Sequence, residues 1–284
     1  MLVDWPHFGA VLFDLDGTLL DHDSYAFDAA LPALRALQAR EIPLILATSK
    51  TLAETARING MLDNHQAVIV ENGSALCFPT VVEYPFAVDA DEILEDHAVV
   101  RLAPPYRVVR GFIDRQRAQH GWRLRGFGDM DTDEVADMTG LDKAAAADAR
   151  QRLCGEPFIW LDSAEALGRF TSAARSEGLN VTQGGRFHHL MGGTDKARAM
   201  LALRAILASD RPSLTPVIAL GDSENDRSML EAADIAVVIR RHDGTRLTCR
   251  GIKRTVFTEQ PGPAGWNTAV LQILGELPSQ PLPT

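Results

Sequence analysis

Residues 10–21 read Ala-Val-Leu-Phe-Asp-Leu-Asp-Gly-Thr-Leu-Leu-Asp. Asp14 and Asp16 stand two positions apart, directly after the apolar run Ala10 to Phe13. An apolar run of this length, bounded by a turn signal, reads as a buried parallel strand. Carboxylates at the carboxyl end of such a strand sit where open α/β sheets bind ligands. The pair can hold one divalent cation together with phosphate oxygens. Alternatively, one carboxylate can attack phosphorus while the other moves protons. A plain turn, with aspartate bonding the backbone and Gly17 supplying a positive φ, uses the same residues without chemistry.

Three further clusters bear on that choice. Thr48, Ser49 and Lys50 end a second apolar run, Ile42 to Ala47, and Lys196 opens a helical stretch after Gly192-Gly193-Thr194. Asp222 and Asp226 follow the run Pro216 to Leu220, within Gly221-Asp222-Ser223-Glu224-Asn225-Asp226. Taken singly, these are an N-cap, a solvated lysine and a turn aspartate. Taken together they suit phosphoryl transfer. Carboxylates hold a metal, a hydroxyl and a lysine hold phosphate oxygens, and a carboxylate attacks in line. Either Thr48 or Ser49 supplies the hydroxyl; Thr48 directly ends the apolar run.

The elements that must position these residues follow from periodicity. Ser24–Arg40 reads as a helix with Leu31, Leu34 and Leu37 on one face and Pro32 in its first turn. Ile42–Ala47 reads as a strand, Thr51–Ile58 as a helix and Ala67–Val70 as a third strand closed by Glu71-Asn72-Gly73. This β-α-β-α-β alternation predicts a parallel sheet layered with helices. From about residue 74 to 190 the alternation breaks down into short apolar runs, such as Ala75–Phe78 and Arg107–Val109, and helical stretches. It returns with a helix over 194–208, strands over 216–220 and 235–239, and helices over 226–233 and 266–274. The expectation is an α/β core of residues 1–83 and 191–284, with an inserted α+β domain at 84–190.

The 284 residues include 46% hydrophobic positions and carry a net charge of −10. That charge disfavours broad nucleic-acid binding, which depends on neutralising phosphates. No apolar run is long enough to span a bilayer. The three cysteines, Cys77, Cys154 and Cys249, lack metal-ligand spacing, and a reduced, cytoplasmic setting is expected. Against the acidic background, Arg101, Arg107, Arg110, Arg115, Arg117, Arg123 and Arg125 face a single nearby acid, Asp114. This stretch is either a site for an anionic ligand or a solvated helix face.

The succession Asp14-Leu15-Asp16-Gly17-Thr18, Thr48, Lys196 and Gly221-Asp222-Ser223-Glu224-Asn225-Asp226 resembles the haloacid dehalogenase superfamily of phosphatases. The insert resembles that superfamily's C2-type cap. Thr139-Gly140-Leu141, Glu156-Pro157-Phe158 and Gly184-Gly185-Arg186-Phe187-His188-His189-Leu190 are similar to the mannosyl-3-phosphoglycerate phosphatases within it. Thr48-Ser49-Lys50-Thr51, standing where most relatives of this subclass have Thr-Gly-Arg, narrows the family further. One stretch departs from the pattern: Gln151–Gly155 is less polar than the stretch that usually precedes Glu-Pro-Phe.

The resemblance implies that Asp14 is the nucleophile, forming an aspartyl-phosphate, and that Asp16 is the proton donor and acceptor. It implies Mg²⁺ held by the Asp14 and Asp222 carboxylates and the Asp16 main-chain carbonyl. Thr48 and Lys196 would bind the phosphoryl oxygens, while Asn225 and Asp226 orient the metal ligands. The implied substrate is a small phosphorylated glycosyl-glycerate. For its recognition, Arg186 is placed to grip a carboxylate bidentately, Glu156 to accept from sugar hydroxyls, and Lys50 to reach the phosphate or the carboxylate. His188 and His189 have no partner at ligand spacing and read as strand residues. A phosphosugar mutase would share these motifs, and the sequence leaves mannosyl against glucosyl open.

Overall fold

The structure, a computed structural model, describes residues 10–84, 86–184, 187–208 and 216–276. These form two compact units, one of residues 48–83 and 87–199, the other of the described parts of 2–47, 84–86 and 200–284.

The second of these units is built on a five-stranded parallel sheet. Its strands run in the order Thr255–Pro261, Ile235–Arg240, Ile218–Gly221, Val11–Phe13 and Leu44–Leu46. Val11 pairs with Ile218 on one side and Leu44 on the other. All residues of Val11–Phe13, Leu44–Leu46 and Ile218–Gly221 are buried, as continuous apolar runs require when both sheet faces are covered. The helix Gly262–Glu276 packs Trp266 edge-on against Phe13, with ring centroids 5.6 Å apart. The Ala33 N–H donates to Asn267 Oδ1 at 2.9 Å, which ties the helix Leu31–Gln38 to that helix.

The predicted helix over 24–40 is shorter than its apolar spacing suggests. It forms as one 3₁₀ turn, Asp28–Ala30, followed by Leu31–Gln38 with Pro32 in the first turn. Upstream, Asp21 Oδ1 accepts from the Ser24 N–H (3.0 Å) and hydroxyl (2.8 Å), and Tyr25 takes φ +57°. A side chain that bonds the backbone locally competes with the helix and stops it from starting earlier.

The first unit holds two antiparallel four-stranded sheets. One runs in the order Leu124–Gly126, Glu156–Trp160, Phe187–Gly192 and Leu179–Gly184. Phe112, Phe158, Phe170 and Trp122 form the core under it, with the helices Tyr106–His120 and Ala164–Ser176. The run Arg107–Val109 is therefore helical, started after Pro105. The other sheet runs Val68–Val70, Ala75–Pro79, His97–Arg101 and Glu92–Leu94. Here the expected third parallel strand is corrected: Val68–Val70 pairs antiparallel with Ala75–Pro79, Val68 facing Cys77. The cause is the connection. Glu71, Asn72 and Gly73 take φ of +49°, +57° and +91°, and this left-handed turn reverses the chain within three residues.

The arginine-rich stretch is neither an open anion site nor a merely solvated face. Arg110 and Arg117 both hold Asp129, and Arg110 also reaches Glu156 at 3.2 Å. Arg101 pairs with Glu92, Arg115 with Glu177, Arg123 with Asp162 and Arg125 with Glu134. Glu156, Asp162 and Glu177 come from distant parts of the chain and Glu92, Asp129 and Glu134 lie just outside the stretch, so the local count of one acid missed them. Burial pushes the Asp129 carboxyl up, but hydrogen bonds from Arg117, Arg110 and the Gly126 N–H outweigh it and hold the group well below its ordinary value.

Candidate active site

In the parallel-sheet unit, Val11–Phe13 and Ile218–Gly221 run side by side and in the same direction, so the residues after them share one rim. The Asp14 N–H donates to Leu220 O at 3.1 Å, which fixes Asp14 beside the end of the neighbouring strand. Asp14, Asp222 and Asp226 each offer a carboxylate oxygen, and these oxygens lie within 4.8 Å of one another. Asp14 is 4% exposed and Asp226 is fully buried. A set of hard oxygen donors this close suits Mg²⁺.

The surrounding contacts divide the work among these acids. Asp226 Oδ2 accepts from the Asp222 N–H (3.1 Å), the Ser223 N–H (3.0 Å) and the Ser223 hydroxyl (3.2 Å), so it shapes the turn that presents Asp222. Asn225 accepts from the Ser223 hydroxyl on the same turn. Gly221 has no space for a Cβ, which would lie 2.5 Å from the Asp226 side chain. Gly17 has φ +76°, and a Cβ there would come within 3.1 Å of Asp222 Oδ2, so the loop after Asp16 can pass only as glycine.

Two residues of this rim were not singled out from the sequence. The buried Thr18 donates its hydroxyl to Asp222 Oδ1 at 3.3 Å. Its place in the Asp-Leu-Asp-Gly-Thr run was the available signal. Arg241 Nε donates to Asp222 O at 2.8 Å and stands 3.8 Å from Asp222 Oδ2. It has no sequence signal, because it follows a different strand. Gly17, Asp222 and Arg241 also line a cavity of 310 Å³, with His22 and His242 stacked 5.2 Å apart at its side.

Thr48, Lys50, Glu156 and Lys196 belong to the other unit. Thr48 is fully buried, and its hydroxyl accepts from the Lys50 N–H at 3.2 Å. The helix N-cap is Thr51, whose side chain and Glu54 form a reciprocal capping box over Leu52–Met61. Thr48 is thus not spent on capping. Lys196 is fully buried in the first turn of Lys196–Ala208. The Glu71–Gly73 turn brings these segments together. The Asn72 N–H donates to Thr48 O (2.9 Å), the Glu71 N–H to Lys50 O (3.0 Å), and the Thr194 hydroxyl to Gly73 O (3.1 Å).

Glu156 requires a correction. It was expected to accept from sugar hydroxyls, but it is fully buried and already engaged. It accepts from the Tyr106 hydroxyl, from the Gly128 N–H at 2.9 Å and from Arg110 at 3.2 Å. A Cβ on Gly126 would lie 1.9 Å from Glu156 Oε1, so the backbone at 126 packs directly against this carboxylate. Burial is the leading effect and raises its carboxyl above the ordinary value despite these donors. Arg186 lies outside the described residues. His188 and His189 sit on the strand Phe187–Gly192, as expected, and burial together with Arg152 and His188 lowers His189 to about 4.

Comparison with known proteins assigns the fold and family. Residues 11–87 and 168–243 match the family of haloacid dehalogenase-like hydrolases. The chain is 38% identical over 270 residues to the glucosyl-3-phosphoglycerate/mannosyl-3-phosphoglycerate phosphatase of Methanococcoides burtonii, covering 94% of this chain and 97% of that protein. It is 34% identical over 268 residues to the phosphatase of the same name from Persephonella marina, again covering 94% and 97%. Among solved structures, a haloalkanoate-superfamily phosphatase of Bacteroides thetaiotaomicron shares the fold at a TM-score of 0.61 and 19% identity, with 95% of this chain and 97% of that one covered. A Thermotoga maritima protein does so at 0.63 and 16%, covering 96% and 98%. The chain belongs to the haloacid dehalogenase-like hydrolases, as a phosphoric monoester hydrolase related to the sugar-phosphoglycerate phosphatases.

Proposed function

We propose that this protein hydrolyses mannosyl-3-phosphoglycerate to mannosylglycerate and phosphate in the cytoplasm, through an aspartyl-phosphate on Asp14. The observation that carries the chemistry is the convergence of Asp14, Asp222 and Asp226 oxygens within 4.8 Å at one strand-end rim. The specificity rests on the full-length relatedness to phosphatases named for this ester and its glucosyl counterpart. That shared name favours a second reading in which both sugars are accepted.

In this scheme Asp14 attacks phosphorus and the ester oxygen leaves with a proton from Asp16. Asp16 then takes a proton from the water that hydrolyses the phosphoenzyme. Thr48 and Lys196 hold the phosphoryl oxygens, and the Lys196 charge offsets that of Asp14. Asp14, Asp222 and the Asp16 carbonyl would hold Mg²⁺, which supplies charge neutralisation of the phosphoryl group when bound. Asp226 and Asn225 keep Asp222 in place through the 222–226 turn. The insert 84–190 acts as the specificity domain. Arg186 would grip the glycerate carboxylate, and Lys50 would reach the phosphate or that carboxylate.

The test is phosphate release across a panel of sugar phosphates that includes both glycosyl-3-phosphoglycerates. A kcat/KM for the mannosyl ester well above that for simple hexose phosphates is expected. Equal rates across the panel would overturn the specificity, and sugar-phosphate isomerisation without phosphate release would indicate a mutase.

A further inference from the structure

The Glu71 carboxylate is 1% exposed and lies among three consecutive main-chain amides. The Leu153 N–H donates to Oε1 at 2.5 Å, and the Cys154 and Gly155 N–H groups donate to Oε2 at 3.0 and 2.7 Å. Arg152, itself 6% exposed, stands 3.6 Å from Oε2 and donates from Nε to Gly155 O at 3.2 Å. A carboxylate met by three N–H donors and a guanidinium is fully compensated, so its burial is stable only while that loop stays in place.

Glu71 reaches this loop because its own backbone is forced. It and Asn72 adopt left-handed φ values that non-glycine residues disfavour. A Cβ at Gly73 would lie 2.2 Å from Asp195 O, so the turn is pressed onto the start of the Lys196 helix. The main chain of the turn bonds Thr48 and Lys50, while its one buried acid bonds 153–155. The chain then continues directly into Glu156, and the Tyr106 N–H donates to Leu153 O at 2.7 Å.

We infer that Glu71 is a positioning residue that registers the 152–155 loop, and through it the Glu156 and Tyr106 network, against the turn bonded to Thr48 and Lys50 and packed on the start of the Lys196 helix. The inference rests on the proposed function, because the 152–155 loop belongs to the insert 84–190, which that reading makes the specificity domain.

The experiment compares Glu71→Gln, Glu71→Asp and Arg152→Met in the full chain, on both glycosyl-3-phosphoglycerates and on p-nitrophenyl phosphate. In Glu71→Gln one carboxylate oxygen becomes an amide that faces N–H donors. KM for the glycosyl ester should rise about tenfold or more, with kcat and the p-nitrophenyl phosphate kinetics within about twofold of wild type. Arg152→Met should shift KM in the same direction by less. Glu71→Asp, which keeps both acceptors, should recover part of the loss. If Glu71→Gln does not fold, Arg152→Met and Glu71→Asp carry the same comparison. Parallel losses on both substrates, or an unchanged KM in every folded variant, would overturn the inference. A wild-type protein active on p-nitrophenyl phosphate but on neither glycosyl ester would overturn the substrate reading, and this inference with it.

Discussion

In the parallel-sheet unit, Asp14, Asp222 and Asp226 bring carboxylate oxygens within 4.8 Å of one another. In the other unit, Arg110 bridges Asp129 and Glu156, and Arg117 adds a second guanidinium to Asp129. Both regions concentrate acids, and in the second two arginines of one helix, Arg110 and Arg117, meet those acids directly. The first arrangement is suited to an exchangeable divalent ion, since its oxygens converge and one of its acids is kept in place by hydrogen bonds from the turn it closes. The second is a permanent fastening of helix Tyr106–His120 to the turn at 127–129 and the strand at 156. Local charge density alone therefore does not mark a site; the convergence of carboxylate oxygens on one point does.

That contrast can be broken most severely at Asp14. Asp14→Asn should retain the fold and lose about 10,000-fold or more in kcat, because a carboxamide cannot form the phosphoenzyme. Near wild-type turnover of a folded variant would remove the scheme. Chelation comes next. Excess EDTA should reduce activity to background and Mg²⁺ should restore it. Added Mg²⁺ should also raise the thermal midpoint, as any ligand of the folded state does. Asp222→Asn should weaken that rise, whereas Asp129→Asn should leave it unchanged.

At the level of recognition, Arg186→Ala should lower kcat/KM on the glycosyl-3-phosphoglycerate by about 30- to 1000-fold, or roughly 2–4 kcal/mol. The loss on p-nitrophenyl phosphate should be much smaller. Equal losses would move Arg186 from recognition to the fold.

The internal fastening has its own signature. Asp129→Asn leaves two arginines short of a counter-charge and should cost about 2–4 kcal/mol of stability, read from denaturant midpoints. The pH dependence follows in sign. The folded Asp129 carboxyl lies below its ordinary value of 3.8, so its contribution is complete above that pH and disappears as pH falls further. His189 is lowered from 6.5 to about 4, so stability begins to fall already as pH drops below 6.5. His189→Gln should flatten that upper part and Asp129→Asn the lower. At the small end, Glu177→Gln removes an exposed partner of Arg115 and should change stability by about 0.5 kcal/mol or less.

The legibility of the molecule follows the same division. Strands such as Val11–Phe13 and Ile218–Gly221 were readable because burial on both faces writes continuous apolar runs, and the acids after them fall at the strand ends. The reversal after Val70 went unread, although Asn72-Gly73 between two apolar runs is a hairpin signal. The left-handed Glu71 was not readable, because its conformation is held with Thr48, Lys50 and Thr194 from elsewhere in the chain. Glu156 misled for a related reason. Its motif suggested a polar contact, and only the packed structure reveals Tyr106, Gly128 and Arg110 already around it.

The pairing of Val11 with Ile218 has a consequence for how the protein is made. On the ribosome the strand that carries Asp14 emerges before the rest of its sheet, and one of its two flanking strands is synthesised some two hundred residues later. Until then Val11–Phe13 has only Leu44–Leu46 as a lateral neighbour, and an apolar edge lies open. The antiparallel unit, by contrast, is complete by residue 199 and can fold during that interval. Closure of the sheet is a late, long-range event, the kind that slows folding and lengthens exposure to aggregation. Nascent chains arrested before residue 218 should therefore be captured by chaperones through the segment 10–13, well before any catalytic carboxylate has its partners.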